Sequence, residues 1–239
     1  MASVVLVHGI RTSSTMWRVQ SRALTAAGVE HVAVDLPGHG RREGEPFTLA
    51  GCREVLDAAV GSLRPPHVVV GFSLGSYVAI DWAGTTAEPP SALVLASAGT
   101  RPRGVGLAGY LAVARAIGRL PDRGLGLHTF LARRVLDGET VADLMAGGVA
   151  LDAMVPTLRA VGGLDVLETL ARLETPIWFV NGTLDHFRAE ERLLLRAARH
   201  ATLQLIPRAG HLVALDQPEA FNDVLMDVIE HVDLRPAGP

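Results

Sequence analysis

Apolar positions along this chain follow two alternating patterns, and the alternation predicts the elements. Ser3 to Val7 reads SVVLV, a continuous β-branched run of the kind found in a strand buried on both faces. Residues 14 to 27 then show helical spacing, with Gly28 as the stop. His31 to Leu36 (HVAVDL) predicts a second strand, ended by Pro37-Gly38. Thr48 is a capping residue for a helix to about Leu63, and Pro65-Pro66 breaks it. His67 to Phe72 (HVVVGF) predicts a third strand that runs without a spacer into a helix from Leu74 to about Ala83. Ala92 to Ser97 predicts a fourth.

The rhythm changes at residue 101. From there to about 170 no strand-like run occurs, only Ala, Leu, Gly and Arg at helical spacing. Strands return at Ile177 to Val180 and Thr202 to Ile206, with a helix near Glu190 to His200 between them. Pro218, a favoured first-turn residue, opens a last helix to about Val232, and the Arg-Pro-Ala-Gly-Pro end is expected to fray.

Six strands alternating with helices specify an α/β fold: an open, mostly parallel sheet with helices on both faces. Residues 1–100 and 171–239 are expected to form its core. Residues 101–170 are expected to be a helical cap, or lid, over the carboxyl edge of the sheet, where open α/β sheets bind ligands.

Composition narrows the chemistry. A formal net charge of −3 over 239 residues, with no basic stripe, argues against a nucleic-acid partner and for a small-molecule substrate. No apolar run reaches membrane-spanning length, and no basic segment precedes the first apolar run as in a signal peptide. Cys52 is the single cysteine, which suits a reducing, cytoplasmic setting. All 22 basic residues are arginines, so chemistry that requires a lysine (a Schiff base, a pyridoxal phosphate site, a Walker P-loop) is excluded. The nine histidines show no H-x-x-x-H or H-x-H pair, so no metal site is expected. Residues 38–44 miss G-x-G-x-x-G by one position, and Pro46 prevents the helix a dinucleotide site needs, so no cofactor is expected. Nothing in the pattern assigns an oligomeric state.

Gly71-Phe72-Ser73-Leu74-Gly75 matches G-x-S-x-G. The pentapeptide gains its meaning from context, because it joins a buried strand directly to a helix, the setting of a nucleophile elbow. Glycines two before and two after the serine allow close backbone approach at a strained turn. A serine hydroxyl needs a base, and His211 follows the sixth strand in Pro207-Arg208-Ala209-Gly210-His211. The base needs an orienting acid, and Asp185 follows the fifth strand in Asn181-Gly182-Thr183-Leu184-Asp185. Singly, such residues are ordinarily a turn serine, a helix-capping aspartate and a surface histidine. Three correct types, each at the carboxyl end of its own strand and in the order Ser, Asp, His, point to one site.

His8-Gly9, the run Asp35 to Gly40, the Ser73 pentapeptide, Asp185 and Gly210-His211 together resemble the α/β-hydrolase superfamily of serine hydrolases along essentially the whole chain. The resemblance implies that the backbone N–H groups of Ile10 and Leu74 form the oxyanion hole and that His8 braces its loop. It implies a structural turn at Asp35 and His39. The family's first two strands are missing, which leaves the order 4-3-5-6-7-8 in the family's numbering. Some relatives carry the acid after the preceding strand, but that loop here reads Ala98-Gly99-Thr100.

The expected activity is hydrolysis of carboxylic esters of small to medium apolar substrates, since a compact, mostly apolar cap suggests a modest apolar pocket. Met16, Trp17, Tyr110, Phe130 and Met154 are candidates to line it. The cap arginines (Arg101, Arg103, Arg115, Arg119, Arg123, Arg133 and Arg134) could attract an anion, although such residues are usually a solvated face. The same triad serves thioester, lactone, C–C and cofactor-free haloperoxidase chemistry, and fold does not choose among them. A ligand-binding module with negligible turnover is the alternative of another class.

Overall fold

A computed structural model describes residues 1–234. Its six strands are β1 (Ser3–Val7), β2 (His31–Val34), β3 (His67–Phe72), β4 (Ala92–Ala96), β5 (Ile177–Gly182) and β6 (Ala201–Ile206). They form one sheet in the order β2-β1-β3-β4-β5-β6, with every neighbouring pair parallel. This is the order the family resemblance implied. The Arg235 to Pro239 tail lies outside the described residues.

The continuous apolar strands are explained by burial on both faces. In β1, Val4 and Leu6 enter one hydrophobic layer while Val5 and Val7 enter the other. Period-two alternation therefore puts consecutive side chains into two different cores, and the positions from Val4 to Val7 are all apolar. The first layer lies under α1 (Arg18–Ala26) and α11 (Pro218–Asp233), and includes Leu24, Phe221, Leu225 and Val228. The second lies under α2 (Leu49–Gly61) and α3 (Leu74–Ala83), and includes Cys52, Leu56, Val78 and Trp82. Thr48 caps α2, its side chain accepting from the Gly51 N–H.

Between β4 and β5 the chain forms α4 (Gly104–Gly118), α5 (Leu125–Val135), α6 (Gly138–Ala146), α7 (Met154–Val161) and α8 (Val166–Arg172). α8 packs into the second layer through the buried Val166 and Leu170, beside α3 and α9 (Glu191–Ala197). Ala114 on α4 meets Met154 and Leu158 on α7 in a small separate cluster. Among the described residues, no helix is long and apolar enough to cross a membrane.

Several boundaries differ from the predicted ones. The first predicted helix begins as a 3₁₀ turn over Ser14–Trp17, whose leading N–H, that of Ser14, donates to Asp35 (2.7 Å). β2 stops at Val34, and Asp35 turns inward to accept from Ser14 and from the backbone and side chain of Arg41. The short helix α10 (Val213–Asp216), four residues directly before α11, is too brief to show helical periodicity.

Candidate active site

Ser73 sits between β3 and α3 with φ 50° and ψ −108°, a conformation that L-residues seldom adopt. The flanking glycines make it possible. A Cβ on Gly71 would run into the backbone of Gly75 and Ser76, and one on Gly75 into the carbonyls of Val7 and His8. Ser76 braces the turn from within, its Oγ donating to the carbonyls of Gly71 (2.8 Å) and Ala96 (3.0 Å).

The loops after β5 and β6 bring the other two residues to the serine. His211 Nε2 lies 3.1 Å from Ser73 Oγ, and His211 Nδ1 lies 3.0 Å from Asp185 Oδ2. An ionised carboxylate can only accept, so Nδ1 carries the proton and Nε2 is free to accept from the serine hydroxyl. The Asp185 side chain is fully out of solvent. Burial pushes its carboxyl up, but the hydrogen bond from His211 and the Phe187 N–H (2.8 Å) outweigh this and hold it below the usual carboxylate range.

The N–H groups implied as oxyanion donors are oriented by their own peptides. The Gly9 carbonyl accepts from His8 Nδ1 and from Thr12 Oγ1, both at 2.8 Å. His8 Nε2 accepts from the Leu36 N–H (3.0 Å), which leaves the His8 proton on Nδ1. With the Gly9 carbonyl held there, the Ile10 N–H across the same trans peptide points the opposite way. The Ser73 carbonyl accepts from the Ser76 N–H (3.0 Å), and the Leu74 N–H at the start of α3 is left without an intrahelical partner. Asp35 and His39 do not line the cavity at Ser73; they hold the turn after β2.

That cavity has a volume of about 1080 Å³, larger than the modest pocket inferred from the compact helices. Ile10, Ser73, Leu74 and His211 line its floor, and Tyr110, Phe130 and Met154 line its helical walls. Phe130 stands at the rim, 57% exposed. Met16 and Trp17 do not line it. Both are fully buried in the first core layer, where Trp17 packs on Phe221 at 6.0 Å between ring centroids. Their apolar character serves the packing of the 3₁₀ turn that leads into α1. Arg101 is paired with Glu190, and Arg123 with Asp152.

Three supporting residues carried no sequence signal. Ser97, with φ 54°, donates from Oγ to the His211 carbonyl at 2.6 Å. Asp216 accepts from the Gly210 N–H at 2.6 Å and ties down the loop before His211. Asn181 Nδ2 donates to Glu191 (2.7 Å), which also pairs with Arg188, so the loop carrying Asp185 is anchored at both ends.

An open parallel sheet with a strained serine elbow at its carboxyl edge defines a hydrolase of the α/β class. The chain belongs to the alpha/beta hydrolase family, whose model matches residues 4–224. Over 247 aligned residues it is 28% identical to the pimeloyl-acyl-carrier protein methyl ester esterase of Salmonella newport (strain SL254), an alignment covering 93% of this chain and 92% of that one. In fold it is similar to a bromoperoxidase from Bacillus anthracis (TM-score 0.79, 18% identity, 96% and 92% of the two chains). It is also similar to a thermophilic esterase from Thermogutta terrifontis (TM-score 0.77, 23% identity, 97% and 90%).

Proposed function

We propose that the chain is a serine hydrolase that cleaves carboxylic esters through an acyl-enzyme, with Ser73 as nucleophile, His211 as base and Asp185 as the orienting acid. The observation that carries this reading is the relay from Asp185 through His211 to Ser73, with links of 3.0 and 3.1 Å, opening on a large cavity.

Ser73 Oγ attacks the ester carbonyl carbon while its proton passes to His211 Nε2. Negative charge develops on the former carbonyl oxygen, where the N–H groups of Ile10 and Leu74 donate to it and the N-terminal dipole of α3 adds to the field. The tetrahedral species collapses, the C–O bond to the alcohol breaks, and His211 returns the proton to the departing oxygen. Water, deprotonated by His211, then attacks the acyl carbon and releases the carboxylic acid and Ser73. Asp185 keeps the imidazole in the useful tautomer and stabilises its cationic form.

Helices α4 to α7 act as the cap, with Tyr110, Phe130 and Met154 contacting the substrate. An ester bond is favoured over thioester, lactone or C–C cleavage because the relative at 28% identity is named as a methyl ester esterase. The test is hydrolysis of short- to long-chain nitrophenyl esters by wild type and Ser73→Ala, with fluorophosphonate labelling. Turnover and labelling that both vanish in the variant support the reading, with a loss of several orders of magnitude. Folded wild-type protein that neither turns over nor labels would overturn it.

A further inference from the structure

The cavity at Ser73 contains a second polar cluster. Arg11, next to Ile10, has φ 60° and a side chain withdrawn from solvent, the residue being 6% exposed. Its guanidinium makes only weak contacts: Nη1 lies 3.6 Å from the Met154 thioether, Nη2 lies 3.4 Å from the Arg123 carbonyl, and Nε has no partner. Among the described residues no carboxylate pairs with it. Asp122, an acid in its field, also accepts from the N–H groups of Gly124 (2.9 Å) and Gly126 (2.6 Å) at the start of α5.

Other unpartnered polar groups line the same cavity. Thr157 is fully buried and its Oγ1 has no partner, and the same holds for Nε2 of the partly buried His128. Burial, and then the charge of Arg11, push His128 down to about 4, so it is a neutral ring able to donate or accept at pH 7. Tyr110 also lines the cavity and lies in the field of Arg11.

A guanidinium removed from water without a carboxylate in direct contact is unfavourable, and its planar fork matches a carboxylate in bidentate fashion. One cation, set against the Met154 thioether, balances a single negative charge, which suits a carboxylate better than a phosphate dianion. We infer that Arg11, with Tyr110, His128 and Thr157, forms an anion subsite that holds a free carboxylate of the substrate while its ester lies at Ser73. The substrate class is then esters that also carry a carboxylate, such as monoesters of dicarboxylic acids. This rests on the hydrolase reading above only in placing the ester at Ser73.

The test compares monomethyl esters of C4 to C8 straight-chain dicarboxylic acids with the dimethyl esters of the same acids, in which the charge is masked. Wild type is expected to prefer the monoacid by about tenfold or more in kcat/KM at the chain length that spans Ser73 to Arg11. In Arg11→Met the ratio of the two should collapse toward unity, whatever happens to the rate common to both, and Arg11→Lys should restore part of it. A purely structural Arg11 would change both esters alike. Dimethyl esters hydrolysed without any preference for the monoacid, or a preference that survives in Arg11→Met, would overturn the subsite while leaving the hydrolase reading intact. Calorimetric titration of Ser73→Ala with the same monoesters tests the subsite without turnover. Binding there that is lost with the added Arg11→Met change supports it even if the hydrolase reading fails, and no binding at any chain length overturns it.

Discussion

The Ser97 hydroxyl donates to the backbone carbonyl of His211 at 2.6 Å, linking the end of β4 to the loop after β6. Ser97 has a left-handed backbone, φ 54°, one strand over from the strained Ser73. Ser97→Ala keeps the strain and loses the hydrogen bond, so kcat should fall by about tenfold while KM changes little. Ser97→Gly should lose similar activity but retain more thermal stability, because glycine accepts the backbone angle. Steady-state kinetics and melting of the two variants separate the effects.

Strain at Ser73 makes a second expectation. Ser73→Gly should raise the melting temperature while abolishing turnover, since a residue in this backbone region carries about 1–3 kcal/mol of strain that glycine relieves. Ser73→Ala should abolish turnover without that gain. Calorimetry on the three proteins decides it, and a glycine variant no more stable than the alanine variant would refute the strain argument.

Gly75 packs against the end of β1, where a Cβ would strike the Val7 and His8 carbonyls. Both partners are backbone, so no side chain can move aside. Gly75→Ala should destabilise by about 3 kcal/mol or more, placing it among the most damaging single substitutions. Denaturant titration, or loss of soluble protein on expression, is the readout.

Acid should destabilise the fold through two buried histidines. Burial, then the neighbouring His39, push the buried His8 down from 6.5 to about 3, and burial pushes His39 down as well. An unfolded chain takes up protons on these rings near pH 6.5, whereas the folded chain does not. Stability from this source is therefore complete above pH 6.5 and declines as pH falls toward the folded values, by about 1.4 kcal/mol per pH unit for each such ring. His8→Gln should flatten the dependence between pH 4 and 6 by about one proton, as measured by denaturant titrations across that range.

Burial pushes the Cys52 thiol up to about 12, so almost no thiolate exists at neutral pH. Iodoacetamide should modify it only in denaturant, in step with loss of helical signal. Modification of folded protein at the rate of a free thiol would contradict the burial in the second core layer.

The sequence by itself determined the strands, their parallel arrangement and the elbow. Doubly buried strands are apolar along their central positions, and this shows in SVVLV, HVVVGF and ALVLA whatever lies around them. The Gly71, Ser73 and Gly75 spacing was equally legible, because the turn is made within five consecutive residues. Tertiary structure alone decided what each side chain meets across the sheet. Met16 and Trp17 have the character of pocket residues, yet the 3₁₀ turn before α1 directs them into the core. Ser97 and Asp216 gain meaning only when β4, β5 and β6 align their ends and bring the His211 loop against them. Arg11 was invisible as a subsite because the residues around it, Tyr110, Arg123, His128, Met154 and Thr157, lie about a hundred or more positions away in sequence. Local periodicity records which face of an element is apolar; which distant groups share a cavity depends on how the helices between β4 and β5 pack.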